Sequence, residues 1–294
     1  GQLAKIQHWT LPLLLLCWVG AARGRWLAAV LALPVAAALA FTAPTMALWA
    51  PFAGAPLLLH VLWQRRTDGL RPILGAGAAV GLALGLTAAV LLVARAWYEP
   101  DLPQVDQAFV PAVRLLGGRV DELAPTATLS GLLWRPPDPG RVDWRTVSHV
   151  ASLGVPMLVV ALPLGLWRAR DRWPALATVL AGALLALGPR VMLADGPAMV
   201  GGYELSLPAA ALDALGYPTA RSGMYYRAAI VSSLGLAMLL AGGASRVRWG
   251  TVVAWVTAGA QVAFAVWATG FLWPRPVLPV PGAALAAAAA ADPE

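Results

Sequence analysis

Long apolar runs broken by tight clusters of arginine decide what this chain can fold into. A helix that crosses hydrocarbon needs roughly 20 residues at about 1.5 Å each. Runs near that length occur at residues 6–22, 26–43, 46–64, 73–97, 149–167, 172–192, 224–244 and 249–273. The second and third are parted only by Thr42 to Thr45, a tight turn holding Pro44. With 60% hydrophobic residues, 12% charged residues and a mean hydropathy of +0.70, the apolar side chains exceed what one core can hide from water. The expected fold is all-α, a polytopic transmembrane helix bundle of about eight spans occupying residues 1–273.

Twenty of the 21 basic residues are arginine, and their placement predicts an orientation. Arg23 and Arg25, then Arg65, Arg66 and Arg71, then Arg168, Arg170 and Arg172, then Arg246 and Arg248 fill every second connection, opposed there only by Asp68 and Asp171. Such loops stay cytoplasmic. The remaining connections, 98–148 and 193–223, together with the C-terminal tail, carry 12 of the 14 acidic residues and are expected on the outer face. Both ends of the sequence are expected on that side of the membrane.

The net charge of +7 and pI near 10.5 suggest nucleic acid in a soluble protein, but arginines gathered at the ends of apolar runs point to lipid instead. No nucleic-acid partner is expected. The single cysteine, Cys17, sits in an apolar run and excludes an internal disulfide and a cysteine metal cluster. His8, His60 and His149 belong to different segments, so neither a metal nor a cofactor is expected.

Within the runs, Gly75, Gly77, Gly81 and Gly85 give four-residue spacings that predict close helix packing. Pro34, Pro51, Pro56, Pro156 and Pro163 predict kinks or helix ends. Trp9, Trp18, Trp26, Trp49, Trp63, Trp97, Trp167, Trp173, Trp249 and Trp273 mostly fall near expected membrane interfaces, where the amphipathic indole prefers to lie.

Neither end reads as a natural terminus. The chain starts at Gly1 and enters an apolar run without the layout of a signal peptide. The Pro/Ala-rich tail, residues 274–294, reads as a spacer leading to an outer domain.

Chemistry is expected on the outer segments, each of which is expected to carry short helices. In 98–148, Asp121 and Glu122 are adjacent and point apart on a helix, which fits solvated surface charge better than an acid–base pair. Segment 193–223 is more informative. Ser206-Leu207-Pro208 predicts a capped short helix over Leu205–Leu215. Arg190, Arg221 and Arg227 flank it, with Asp195 and Glu204 as acidic partners. Guanidinium groups present planar forks to phosphate oxygens, so these three arginines are the candidate lipid-phosphate ligands. The alternative is that they pair with Asp195, Glu204 or Asp213 and fix the loop.

The order of features from Ser152-Leu153-Gly154 through the arginine- and tryptophan-bearing loop, Leu187-Gly188-Pro189, Leu207-Pro208 and the Arg221…Arg227 pair resembles bacterial multi-pass membrane proteins of the GT-C glycosyltransferase-like type. The resemblance covers approximately residues 70–280 and rests on the order of the motifs. It implies the later part of such a membrane domain, in a bacterial cytoplasmic (inner) membrane, using a polyprenyl-phosphate-linked sugar at the outer face. The matched positions are Gly188, Pro189, Leu207, Pro208 and Arg227; Ser222–Tyr226 is longer than the family's proline-containing link, which leaves Arg221 only approximately placed. The family's catalytic acid lies in a first outer loop that would precede Gly1, so no catalytic residue is assigned in this sequence. The alternative function is a non-enzymatic membrane scaffold or transporter subunit. The second to sixth runs hold no charged side chain in their interiors, which weakens ion-coupled transport.

Overall fold

The structure, a computed structural model, describes residues 10–42, 47, 49–98, 153–188, 192–193, 196–204, 209–211 and 228–268. The described chain is mostly helical, and every one of the eight apolar runs contains a helix. These are α1 (Thr10–Ala22), α2 (Trp26–Thr42), α3 (Ala50–Gln64), α4 (Leu70–Tyr98), α5 (Leu162–Arg168), α6 (Arg172–Ala186), α7 (Ala229–Ala244) and α8 (Gly250–Ala268). Among the described residues, one helical stretch, Leu70–Ala94 in α4, is long and apolar enough to cross a membrane, and the other apolar helices are shorter. Segment 98–148 and the tail lie outside the described residues beyond Tyr98.

Proline placement follows from its missing N–H. Pro51 occupies the first turn of α3, where no intrahelical donor is needed. Pro34 and Pro56 stand inside α2 and α3. The turn of backbone before α5, Met157–Ala161, is a π-helix in which the Leu162 N–H reaches back to the Met157 carbonyl. Pro163 follows immediately, so the helix widens where a ladder bond is absent in any case.

The core mixes large buried side chains, among them Trp18, Trp49, Leu11, Leu14, Leu236 and Leu239, with seams built mainly of alanine. α2 buries Ala29, Ala32, Ala36 and Leu39 while exposing Leu27, Val30 and Leu31; α4, which packs on α2 and α1, buries Ala76, Ala79 and Ala83. The glycine stripe of α4 behaves differently from the sequence expectation. A Cβ placed on Gly75, Gly77, Gly81 or Gly85 would meet nothing within 4 Å, so within this chain alanines, not these glycines, form the seam. Close glycine packing occurs instead around α7, where a Cβ on Gly235 would strike the Ala175 carbonyl of α6 and one on Gly243 the Leu164 carbonyl preceding Gly165 of α5.

A few polar side chains tie the helices together. The buried Trp18 indole on α1 donates to Thr87 Oγ1 on α4 at 3.2 Å, and Ser232 Oγ on α7 donates to the Val179 carbonyl on α6 at 2.7 Å. Gln261 on α8 donates to the Leu153 carbonyl at 3.4 Å, just where the chain is not yet helical. Helices α1 to α4 pack as one group and α5 to α8 as another, joined chiefly by α3 against α6.

Candidate functional site

The two ends of the bundle differ in chemistry. All four arginine loops lie at one end, as contacts between them establish. Arg65, after α3, donates from Nη1 to the Ala22 carbonyl at the end of α1 at 3.3 Å. Asp171, before α6, has its Oδ1 3.1 Å from His60 Nε2 and 3.5 Å from Gln64 Nε2, both on the last turns of α3. The last turn of α7 packs on the end of α5, since a Cβ on Gly242 would stand 3.0 Å from the Ala169 Cβ. Positive-φ glycines at Gly24 and Gly69 close two of these loops tightly, in a conformation that side chains with a Cβ resist.

This end carries paired arginine and tryptophan. Guanidinium carbons stand over indole rings at 3.8 Å for Arg66 on Trp63, 3.9 Å for Arg168 on Trp167, 5.5 Å for Arg172 on Trp173 and 5.8 Å for Arg248 on Trp249. Separations below about 6 Å are those at which a cation is drawn to the ring face. The four indoles are 65–70% exposed. Arg65 is held by Asp68 at 2.9 Å, and Arg172 donates to the Leu166 carbonyl at 2.9 Å. Both acidic side chains described at this end are therefore engaged, Asp68 with Arg65 and Asp171 with His60.

The three polar groups of His60, Gln64 and Asp171 share one imidazole nitrogen. Gln64 Nε2 lies 2.8 Å from His60 Nε2, on the same atom that faces Asp171. A bare Nε2 accepts from the amide, whereas an Nε2–H donates to the carboxylate, so the tautomer of His60 decides which partner it serves.

At the opposite end runs the connection from α6 to α7. Gly188, with φ of 75°, ends the helix, and the chain then forms two antiparallel pairs: β1 (Met192–Leu193) with β2 (Gly196–Pro197), and β3 (Met199–Val200) with β4 (Tyr203–Glu204). Gly201 and Gly202 make the second turn with φ of 60° and 85°, the two positive values that a tight hairpin turn requires. Met199, Val200 and Tyr203 stand exposed on it. These strands were not expected from the sequence, although Gly-Gly between Met-Val and Tyr-Glu is a two-residue hairpin signal.

Of the residues expected to form a phosphate site, Arg190, Asp195, Arg221 and Arg227 lie outside the described residues. Glu204 is placed by its backbone in β4. From the expected helix over Leu205–Leu215, residues 209–211 are described and are helical. Among the described residues no group of three or more His, Cys, Asp or Glu side chains could hold a metal ion.

No family model, curated protein or solved structure matches the chain.

Proposed function

We propose that this chain is the membrane domain of a multi-pass protein with about eight spans, its arginine loops in the cytoplasm and its α6–α7 connection on the outer face. The observation carrying this reading is the gathering of all four arginine loops at one end of the bundle, as the retention of cationic loops on the cytoplasmic side requires. The outward display of large apolar side chains supports it. Leu16, Leu27, Leu59, Leu92, Val159 and Trp255 are each 65–75% exposed, a surface suited to lipid and costly in water. Interior packing through alanine and glycine points the same way, because helices in lipid associate by close backbone approach.

On the outer face, the reading that fits the sequence order is a GT-C-type glycosyltransferase-like protein. It binds a polyprenyl-phosphate-linked sugar, with Arg190, Arg221 and Arg227 as phosphate ligands beside Asp195 and Glu204. The support is sequence resemblance, together with an α6–α7 connection that leaves the bundle at the end opposite the basic loops. A scaffold without covalent chemistry is the second reading. It is favoured by an interior whose polar side chains Trp18, Thr87 and Ser232 are already spent on helix-to-helix or backbone bonds.

Binding of a polyprenyl-phosphate sugar by the full-length protein tests the two against each other. The transferase reading expects saturable binding that weakens in Arg227→Ala with the fold retained. Absence of donor binding by a folded, membrane-inserted protein leaves the scaffold.

A further inference from the structure

We infer that the arginine–tryptophan pairs at the basic end form a collar that selects anionic phospholipid headgroups over zwitterionic ones. The inference rests on the membrane reading above and adds a ligand class to it. Orientation by positive charge requires only that arginines be present in these loops; it does not require each to lie against an indole.

The pairing has a chemical consequence. The Arg66 and Arg168 guanidinium carbons lie 3.8 and 3.9 Å from the indole centroids and that of Arg248 at 5.8 Å, so each cation sits over a ring face with N–H groups left for phosphate oxygens. The ring beneath it is apolar and amphipathic, suited to the acyl–headgroup boundary. The Arg66, Arg168 and Arg248 pairs each thus offer a depth anchor and a phosphate donor in one unit, whereas Arg172 spends one N–H on the Leu166 carbonyl. Trp63, Trp167, Trp173 and Trp249 stand at the ends or starts of α3, α5, α6 and α8, so the units are spread around one end of the bundle rather than grouped on one helix.

Charge complementarity chooses the occupant. Arg66, Arg168 and Arg248 are exposed, and the acidic groups described near them, Asp68 and Asp171, face Arg65 and His60 instead. The uncompensated charge faces outward from the loops. An anionic leaflet surface supplies the opposite charge at the level where the indoles sit, and each basic residue near it shifts binding by about fivefold. A free anion would gain the guanidinium edge but nothing from the ring, so the bilayer headgroup is the better match.

The test uses the full-length protein in nanodiscs of equal phosphatidylglycerol and phosphatidylcholine, with retained lipids counted by native mass spectrometry. The wild type is expected to retain phosphatidylglycerol in preference. A combined Arg66→Gln, Arg168→Gln, Arg248→Gln variant keeps every tryptophan and leaves Arg65 and Arg172 in their backbone contacts. It is expected to lose preference by about fivefold for each guanidinium removed. The matching Arg→Lys variant, which keeps charge but loses the planar fork, is expected to fall between the two. Equal retention of both lipids by the wild type, or an unchanged preference in the glutamine variant, overturns the inference. So does displacement of phosphatidylglycerol by millimolar inorganic phosphate, which would mark a simple anion site. Protein that washes from membranes at alkaline pH removes the underlying membrane reading, an outcome distinct from stable insertion without lipid preference.

Discussion

Asp171 Oδ1 stands 3.1 Å from His60 Nε2, joining the loop between α5 and α6 to the last turns of α3. It is a side-chain bridge between the two four-helix groups at the arginine end, and Gln64 competes for the same imidazole nitrogen. The bridge is partly solvated, with side-chain exposures of 28% and 57%. Solvation limits its worth to roughly 0.2–1 kcal/mol. A double-mutant cycle of His60→Ala and Asp171→Asn, read by thermal unfolding in detergent, should give a coupling in that range; a coupling of zero would mean that the contact does not hold the groups together.

Trp18→Phe should cost about 2–3 kcal/mol, since it removes the donor to Thr87 and leaves a void where part of the buried indole stood. Thr87 keeps its own bond to the Ala83 carbonyl at 2.8 Å, so no second group is orphaned. Gly54→Ala should cost about 1–3 kcal/mol, because its Cβ would lie 2.5 Å from Trp18 ring carbons. Wild-type stability in either variant, read by thermal unfolding in detergent, would contradict this packing.

Glycines on α4 and α7 should respond in opposite directions. Gly235→Ala places a methyl 2.7 Å from the Ala175 carbonyl and should destabilise the α6–α7 pair by about 1–3 kcal/mol. Gly81→Ala enters open space and should stabilise by about 0.5–1 kcal/mol through helix propensity. Destabilisation by Gly81→Ala would show that something seats on that face.

Gly154→Ala should destabilise by about 1–2 kcal/mol, because its φ of 81° disfavours any side chain and the flexible end of Gln261 would have to move aside. Gln261→Leu should act more mildly, removing the donor to the Leu153 carbonyl at a cost of about 1 kcal/mol. Gln261 Oε1 itself is buried without a hydrogen-bond partner, which makes the leucine variant less costly than loss of a fully satisfied amide. A Gly154→Ala variant as stable as wild type would contradict the packing described here.

How far the sequence foretold these features varies with the kind of signal. The eight helical segments were legible because apolar runs between arginine clusters leave few other options. Helix faces were not. Gly77, Gly81 and Gly85 carry a packing spacing, yet spacing alone cannot say whether alanine at Ala76, Ala79 and Ala83 will take the seam instead. The hairpin at Gly201-Gly202 is weakly signalled beside the stronger Ser206-Leu207-Pro208 helix cap, because four strand residues carry almost no periodicity. The pairing of Arg168 with Trp167 was visible as adjacency, but stacking depends on rotamers that sequence does not contain. The phosphate candidates Arg190, Arg221 and Arg227 rest on sequence, and they lie outside the described residues.

The most direct test of the central claim is single-cysteine labelling of the full-length protein in intact cells with a membrane-impermeant maleimide, in a Cys17→Ser background. Tyr203→Cys, on the exposed hairpin, should label from outside. Arg170→Cys and Arg246→Cys, in the arginine loops, should label only after the membrane is opened. Labelling of Arg170→Cys or Arg246→Cys in intact cells with Tyr203→Cys protected would invert the orientation, and equal labelling of all three without permeabilisation would contradict a membrane-spanning bundle altogether.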